Sequence, residues 1–431
     1  MITSLVLVAG FGLFLLLGVP IAYALAFASL GAIWSMGSIP LMIVPQRLAE
    51  GINSFPIMAV PLFLLAGALM NAGGATMRLV ALAMRLVGHV NGGLGHVVVV
   101  TNMIMAGMSG SAVADAVGTG SILIPAMKKE GYSSEFAAGL TAAASTIGPV
   151  IPPSIPFVVY GVLAEVNIGD LFIAGFIPGV LMGIALMIYV RMKARTSHYP
   201  RHERASLGQV MRTAGEAAPA LLLPLIIVGG IVGGVFTPTE AAGAAAVYAL
   251  VLGLFVYREL RVRQLPVILW EAAHNAGVVL FILAAAGIFS WLMTITQVAE
   301  AAQALVISST NQAWVVLAIF NVILLIMGCF LDTFAIMTIA TPMMLPIIRH
   351  FGIDPVHFGV VMTVNLMIGA LTPPFGMLLF VMGPLAQISF DRIVRAVAPF
   401  IIPIFIVLVA ITYVPTFTLV LPHLLKGIFG G

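Results

Sequence analysis

Gly148-Pro149-Val150-Ile151-Pro152-Pro153-Ser154 returns 221 residues later as Gly369-Ala370-Leu371-Thr372-Pro373-Pro374-Phe375. The two stretches are the centre of a longer repeat of helix breakers. Gly107, Pro125, Gly131, Asp170 and Pro178 recur as Gly328, Pro346, Gly352, Asp391 and Pro399 at the same shift, with no gap. The earlier parts of the halves align at a shift of 218, Pro20 with Pro238 and Phe63 with Phe281. The chain therefore reads as a duplication in which paired Gly/Pro interruptions fall in corresponding apolar segments, a pattern that points to a mid-membrane site between repeats.

The background of that repeat is too apolar for a soluble globule. Hydrophobic residues make up 61% and charged residues 8%, against roughly 25% charged in soluble domains, and the mean hydropathy is +1.18. The fold class is an all-α polytopic membrane protein with the lipid bilayer as its solvent. The basic pI of about 9.1 reflects which loops face the cytoplasm and gives no reason to invoke nucleic acid. Cys329 is the single cysteine, so no internal disulfide can form. Met1-Ile2-Thr3-Ser4 lacks a positive leader, and the apolar run to Gly18 reads as a retained first span.

Segments apolar enough to cross a core of ~30 Å lie at about 3–18, 20–36, 56–71, 136–163 and 171–190, then at 217–236, 240–257, 275–293, 356–384 and 396–420. Five crossings per half is an odd number, so the second copy enters from the opposite side and the repeat is inverted. Between the third and fourth crossings, arms at 94–107 and 114–127 flank the small polar stretch 108–113. At about fourteen residues, roughly 21 Å as helix, each arm is too short to cross, and the pair reads as a re-entrant hairpin. A matching hairpin is expected at 313–348, with its tip near Gly328-Cys329-Phe330-Leu331-Asp332-Thr333.

The resulting division is a first repeat at 1–190 (outer helices 1–71, hairpin-bearing part 94–190), a cytoplasmic linker at 191–216, and a second repeat at 217–431 (outer helices 217–293, hairpin-bearing part 313–431). With the amino terminus periplasmic, fifteen of the 18 Lys and Arg residues face the cytoplasm, and only Arg47, Arg349 and Lys426 do not. The opposite orientation would invert this positive-inside bias.

Proline removes a backbone N–H and obstructs the carbonyl one turn back. At Pro152-Pro153 and Pro373-Pro374 this leaves carbonyls without helical partners, a neutral oxygen cage suited to a hard monovalent cation such as sodium. Hydroxyls at Ser109, Ser111, Thr333 and Thr372 add oxygens. One such pair alone would be a kink; two, each beside a polar hairpin tip, argue for a site. Asp115 and Asp332 stand near the starts of the second arms, where a helix dipole favours a carboxylate. Asp115 reads first as a structural cap for its own arm, and Asp332, within the tip, as functional.

Other polar residues have plainer readings. Asn102, Asn321 and Asn365 suit interhelical hydrogen bonds, and Glu240 suits a helix start. His198 and His202 have metal-pair spacing but no third ligand. Gly107-Met108-Ser109-Gly110-Ser111 lacks the second glycine and the preceding strand of a nucleophile elbow. No Gly-Lys dipeptide exists for a nucleotide-binding loop. Catalysis and nucleotide-driven pumping are thereby set aside in favour of secondary transport.

Ser109-Gly110-Ser111 with Asp115, Gly148 to Ser154, Leu331-Asp332-Thr333 and Thr372-Pro373-Pro374 together resemble the large membrane subunit of TRAP transporters, DctM-like, along essentially the whole chain. The resemblance implies a sodium-coupled importer of organic acids, such as C4-dicarboxylates or sialic acid, in a bacterial inner membrane. It also implies an elevator motion, in which a transport part made of 94–190 and 313–431 moves against scaffold helices at 1–71 and 217–293. Expected partners are a small four-span membrane subunit (DctQ-like) and a periplasmic substrate-binding protein (DctP-like). Sodium is the transported coupling ion, and no organic cofactor is implied.

Carried over by position, the first sodium site would use oxygens at Ser109, Ser111, Gly148, Ile151 and Pro153, and the second Thr333, Thr372 and the region of Gly376. Substrate contacts would fall on Ser111, Ser154 and Asp332. Phe375-Gly376-Met377 departs from the commoner small-residue pattern after the prolines. The alternatives are a stand-alone sodium/dicarboxylate symporter of the same architecture and a proton-coupled carrier using Asp332.

Overall fold

The computed structural model describes residues 2–197 and 199–429. Among them there is no β-strand. In chain order the helices are α1 (Ile2–Leu16), α2 (Ile21–Met36), α3 (Ile43–Glu50), α4 (Ala59–Ala72), α5 (Ala75–Val87), α6 (Gly93–Ser109), α7 (Ala112–Lys129), α8 (Ser134–Ser145), α9 (Ile155–Ala164) and α10 (Ile168–Ser197). The remainder are α11 (Leu207–Val232), α12 (Pro238–Val251), α13 (Leu265–Ile295), α14 (Val298–Ser309), α15 (Ala313–Phe330), α16 (Thr333–His350), α17 (Pro355–Gly369), α18 (Met377–Ala386), α19 (Phe390–Tyr413) and α20 (Thr416–Phe429). Shifting α6 to α9 by 221 lands on α15 to α18 to within about a turn at every end, and α7 lands on α16 residue for residue. The breakers thus set helix ends in both halves.

Local chemistry explains the starts. Ser133 accepts from Phe136 N to cap α8, and Ser206 with Gln209 forms a capping box that begins α11. Thr237 and Glu240 form another at α12, the helix-start role expected of Glu240. Each arrangement satisfies N–H groups that a helix start leaves unpaired.

The expected segments and the helices are compared at four places. Among the described residues, seven segments are long and apolar enough to cross a membrane by length and composition: Phe55–Ala72, Ile168–Arg195, Leu207–Val232, Pro238–Val256, Val262–Ile295, Ala313–Phe330 and Phe390–Tyr413. First, α1 and α2 are apolar but only 15 and 16 residues long. Second, the segments at 136–163 and 356–384 are each two half-helices around a break, as the proline pairs predict. Third, the span placed at 396–420 stops at Tyr413, because the residue before Pro415 is pushed out of helical geometry. Fourth, the stretch taken as a linker at 191–216 is mostly helical, with 199–206 non-helical between α10 and α11.

The hairpin arms are also longer than the sequence suggested, 17 residues in α6 and 18 in α7, α15 and α16, or roughly 26 Å each. The first tip contracts from 108–113 to Gly110-Ser111. Gly110, at φ +60°, ends α6 in the left-handed conformation, and Ser111 caps α7 by accepting from Ala114 N, so Met108, Ser109, Ala112 and Val113 stay helical.

The helices pack in two neighbourhoods that also touch each other, α5 on α6 and α13 on α16. α1 lies on α2, α2 and α4 on α13, α4 on α12, and α11 on α5 and α12. The hairpins and broken helices pack among themselves, α6 on α7 and α8, α15 on α16 and α17, with α10 and α19 against each other. At the centre, residues 136–160 are buried without interruption. Their small side chains (Ala137, Ala138, Ala142, Ala143 and Ala144) let helices approach closely where hydrophobicity alone gives no drive to associate.

Candidate functional site

Each hairpin tip is seated on the break of its own half. At the first, a methyl placed on Gly110 would stand 2.6 Å from the Pro153 carbonyl oxygen, and one on Gly148 would stand 2.2 Å from Asp115 Oδ2. At the second, Phe375 N donates to Cys329 O at 3.1 Å, and a methyl on Gly369 would lie 2.6 Å from Gly328 Cα. Glycine is required where backbones meet this closely, because any Cβ would overlap the partner. The second arms then cross over, α7 packing on α18 and α16 on α9.

The first break runs from Thr146 to Ser154 and includes the cis peptide Pro152-Pro153. All of it is buried. Ile147 O accepts from both Val150 N and Ile151 N. The carbonyls of Gly148, Ile151 and Pro153 accept no hydrogen bond from the described residues. Buried carbonyls without partners are costly in a bilayer, where water cannot substitute, and a cation would satisfy them. Ser154 Oγ donates to Pro149 O at 2.5 Å and accepts from Phe157 N at 3.1 Å. It caps α9 and holds the break closed on itself, so the hydroxyl assigned to substrate is engaged within the protein.

Ser109 and Ser111 do meet here. Ser109 Oγ donates to Asp115 Oδ1 at 2.5 Å and accepts from Ser111 N at 3.3 Å. Asp115 is not the cap of α7; Ser111 is. The carboxylate one turn further on points back over the tip instead, towards Ser109 and Gly148. The signal for this in the sequence was the return of Ser109 and Asp115 to one side across the Gly110 turn, which spacing along a single helix does not convey.

The second break, 370–376, carries the cis peptide Pro373-Pro374 and is more open. Thr372 is half-buried, while Pro373, Pro374 and Phe375 are exposed. Thr372 Oγ1 donates its proton to Ile368 O at 2.8 Å, which leaves its lone pairs free to face a cation. Gly376, at φ +29°, brings the chain round so that Leu379 N reaches its carbonyl at 2.7 Å. Asp332 caps α16, its Oδ1 accepting from Phe334 N at 2.8 Å. Asp332 and Thr333 are half-buried. Ser111 and Asp332 are thus corresponding residues with the same capping role in the two hairpins.

The asparagines behave as interhelical glue. Asn102 joins Val98 O and Thr119 between the hairpin arms, and Asn365 Nδ2 donates to Asn321 Oδ1 at 2.7 Å. Among the described residues no group of three His, Cys, Asp or Glu could hold a metal. His202 pairs with Glu130 at 2.9 Å; His198 lies outside the described residues.

A profile described as "Tripartite ATP-independent periplasmic transporter, DctM component" matches residues 8–417. The chain belongs to the DctM family. Its members are transporter permeases, not enzymes. The sialic acid TRAP transporter large permease protein SiaM of Vibrio cholerae is 40% identical over 410 residues, covering 95% of this chain and 96% of that protein. The isethionate TRAP transporter permease protein DctMQ of Oleidesulfovibrio alaskensis is 43% identical over 411 residues, 95% of this chain and 65% of that longer one. Among solved structures, the Alcanivorax borkumensis YdaH transporter superposes with a TM-score of 0.63 at 15% identity, over 86% of this chain and 88% of that one. That likeness concerns the DctM fold alone.

Proposed function

We propose that this DctM chain is the large membrane subunit of a sodium-coupled, binding-protein-dependent importer of organic acids in a bacterial inner membrane. The observation that carries the reading is the doubled seat: a hairpin tip bearing hydroxyls and a carboxylate, placed on a proline-broken helix, in each half. Carbonyl and hydroxyl oxygens without a fixed cation nearby suit sodium. The small acids named for relatives, sialic acid and isethionate, supply the substrate class.

The first ion is assigned to Ser109, Ser111, Gly148, Ile151 and Pro153, and the second to Thr333, Thr372 and the region of Gly376. Substrate is assigned to Ser111, Ser154 and Asp332, the last offering its free oxygen to a substrate hydroxyl or amide. Ser154 can contribute only by exchanging its bond to Pro149.

A two-fold relation between the halves is supported by reciprocal packing, and the odd number of expected crossings per half makes that relation an inverted one. α7 on α18 is answered by α16 on α9, and α8 on α19 by α17 on α10, as a two-fold axis between repeats would require. A periplasmic amino terminus is supported by charge. Arg78 with Glu259 and Glu135 with Arg392 agree with the relative sidedness of these loops, whichever side that is. The sliding part is assigned to 94–190 and 313–431, and the scaffold to 1–71 and 217–293. A small four-span subunit would hold the scaffold, because a permanent partner suits the part that stays still. The extra length of DctMQ suggests that subunit in fused form, and a periplasmic binding protein would deliver the substrate.

Uptake into liposomes containing both membrane subunits tests this. Transport is expected to need the binding protein and an inward sodium gradient, with more than one sodium per substrate. Uptake that ignored sodium and followed pH would favour a proton-coupled carrier, and uptake without a binding protein would favour a stand-alone symporter. Thr372→Val removes one oxygen at nearly constant volume, so the sodium concentration for half-maximal uptake should rise several-fold with normal protein in the membrane. An unchanged sodium dependence would remove Thr372 from the site.

A further inference from the structure

The hairpins carry one carboxylate each, yet at positions that do not correspond. The counterpart of Asp115 is Ile336, and the counterpart of Asp332 is Ser111. Asp332 spends an oxygen on capping and is half-exposed, whereas Asp115 is fully enclosed. Only one of its oxygens is used, Oδ1 accepting from Ser109. Oδ2 is buried and accepts no hydrogen bond. It lies in the space a side chain at position 148 would occupy, 2.2 Å from an ideal Cβ there.

An ionised carboxylate is stable in such a place only if something positive stands beside it. No Lys or Arg pairs with Asp115 among the described residues. The start of α7 supplies no more than the partial charge of a helix dipole. The unsatisfied group faces the same break whose Gly148, Ile151 and Pro153 carbonyls are without donors. A cation entering there would compensate all of these at once.

We propose that Asp115 is the charge-compensating and positioning residue of the cation site at the first break. It accepts the hydrogen bond that Ser109 Oγ donates, which turns the Ser109 oxygen's remaining lone pair outward, and its carboxylate gives the site a net negative charge. The second break, with Ile336 at the corresponding position, is a neutral cage. The two sites therefore bind the same ion on different electrostatic terms, the first more tightly and with greater loss when its charge is removed. The inference rests on the sodium-coupled reading above.

Sodium binding to the purified complex of both membrane subunits, measured as radioactive sodium retained and as the shift in melting temperature against choline, tests it apart from transport. Asp115→Asn keeps the shape and can still accept from Ser109. It is expected to weaken the tighter sodium-binding step at least tenfold and leave the weaker one in place. Ser109→Ala should weaken the same step less, and adding it to Asp115→Asn should cost little more, because the two act through one contact. Should Asp115→Asn fail to fold, Ser109→Ala alone decides, since it leaves the carboxylate intact. Wild-type protein that responds to sodium alongside an Asp115→Asn, or a folded Ser109→Ala, with a superimposable titration would overturn the proposal and make Asp115 a packing residue. No sodium response in the wild type would instead overturn the sodium reading, and the proposal with it.

Discussion

Gly369→Ala is expected to reduce uptake by about a hundredfold, a loss of ~2.7 kcal/mol. A methyl at 369 would stand 2.6 Å from Gly328 Cα, 2.9 Å from its carbonyl carbon and 3.1 Å from its oxygen, and the reciprocal methyl at 328 would stand 2.9 Å from Gly369 Cα. Both partners are backbone, so neither can rotate away; α15 and α17 would have to part by close to an ångström. Overpacking of this kind costs about 1–3 kcal/mol where a core can yield. Here the yielding itself does the damage, because the crossing sets the distance between the second hairpin tip and the Thr372 break, which Phe375 N and Cys329 O then pin.

Gly229→Ala is the matched control, since nothing lies within 4 Å of a methyl there. Alanine is the better helix former by ~1 kcal/mol, so that variant should transport normally and melt no earlier. Comparing uptake with the amount of monodisperse protein extracted separates the two effects. Wild-type uptake by Gly369→Ala would show that the crossing has slack that the glycine contact does not suggest.

The second large effect is expected at Asp332. Its Oδ1 caps α16, and the residue, like Thr333 beside it, is half-buried at the tip seated on the more open second break. Two negative charges brought together at low dielectric repel, so an acid substrate is accepted there only if sodium neutralises the cluster and the carboxylate receives hydrogen bonds from the substrate. Asp332→Asn retains the capping oxygen and removes the charge. Uptake should fall at least tenfold, about 1.4 kcal/mol, while thermal stability changes little. Asp332→Ala removes the cap as well and should cost a further ~1 kcal/mol of stability. Near-normal uptake by Asp332→Asn across a range of sodium concentrations would leave Asp332 with capping as its whole role.

The sequence by itself determined where the helices stop. A Gly at the end of α6, a Pro-Pro pair after α8 and α17 and a proline after α19 act on their own backbone, whatever surrounds them, so a repeat of breakers transmits the same ends to both halves. It also determined the membrane class, since no soluble core could absorb so few charges, and the pairing of each broken helix with its own hairpin. Span lengths were less legible, because an apolar run shows where a helix can lie in lipid and not where capping residues such as Ser206 begin it.

Only the tertiary structure decided what each polar group does. Asp115 and Asp332 stand at similar places in similar helices, and local rules favour a cap for either. The choice fell to Ser111 and Asp332 through turn geometry, and Asp115 was drawn to Ser109 and Gly148, which lie across a turn and in the break after α8. Burial was decided in the same way: the first break is sealed beneath α10 and α6, while the second, with the same prolines, lies open at Pro373 to Phe375. Breakers are read from one residue and its neighbours in the chain, whereas exposure and hydrogen-bond partners depend on elements far away in sequence, which only packing brings together.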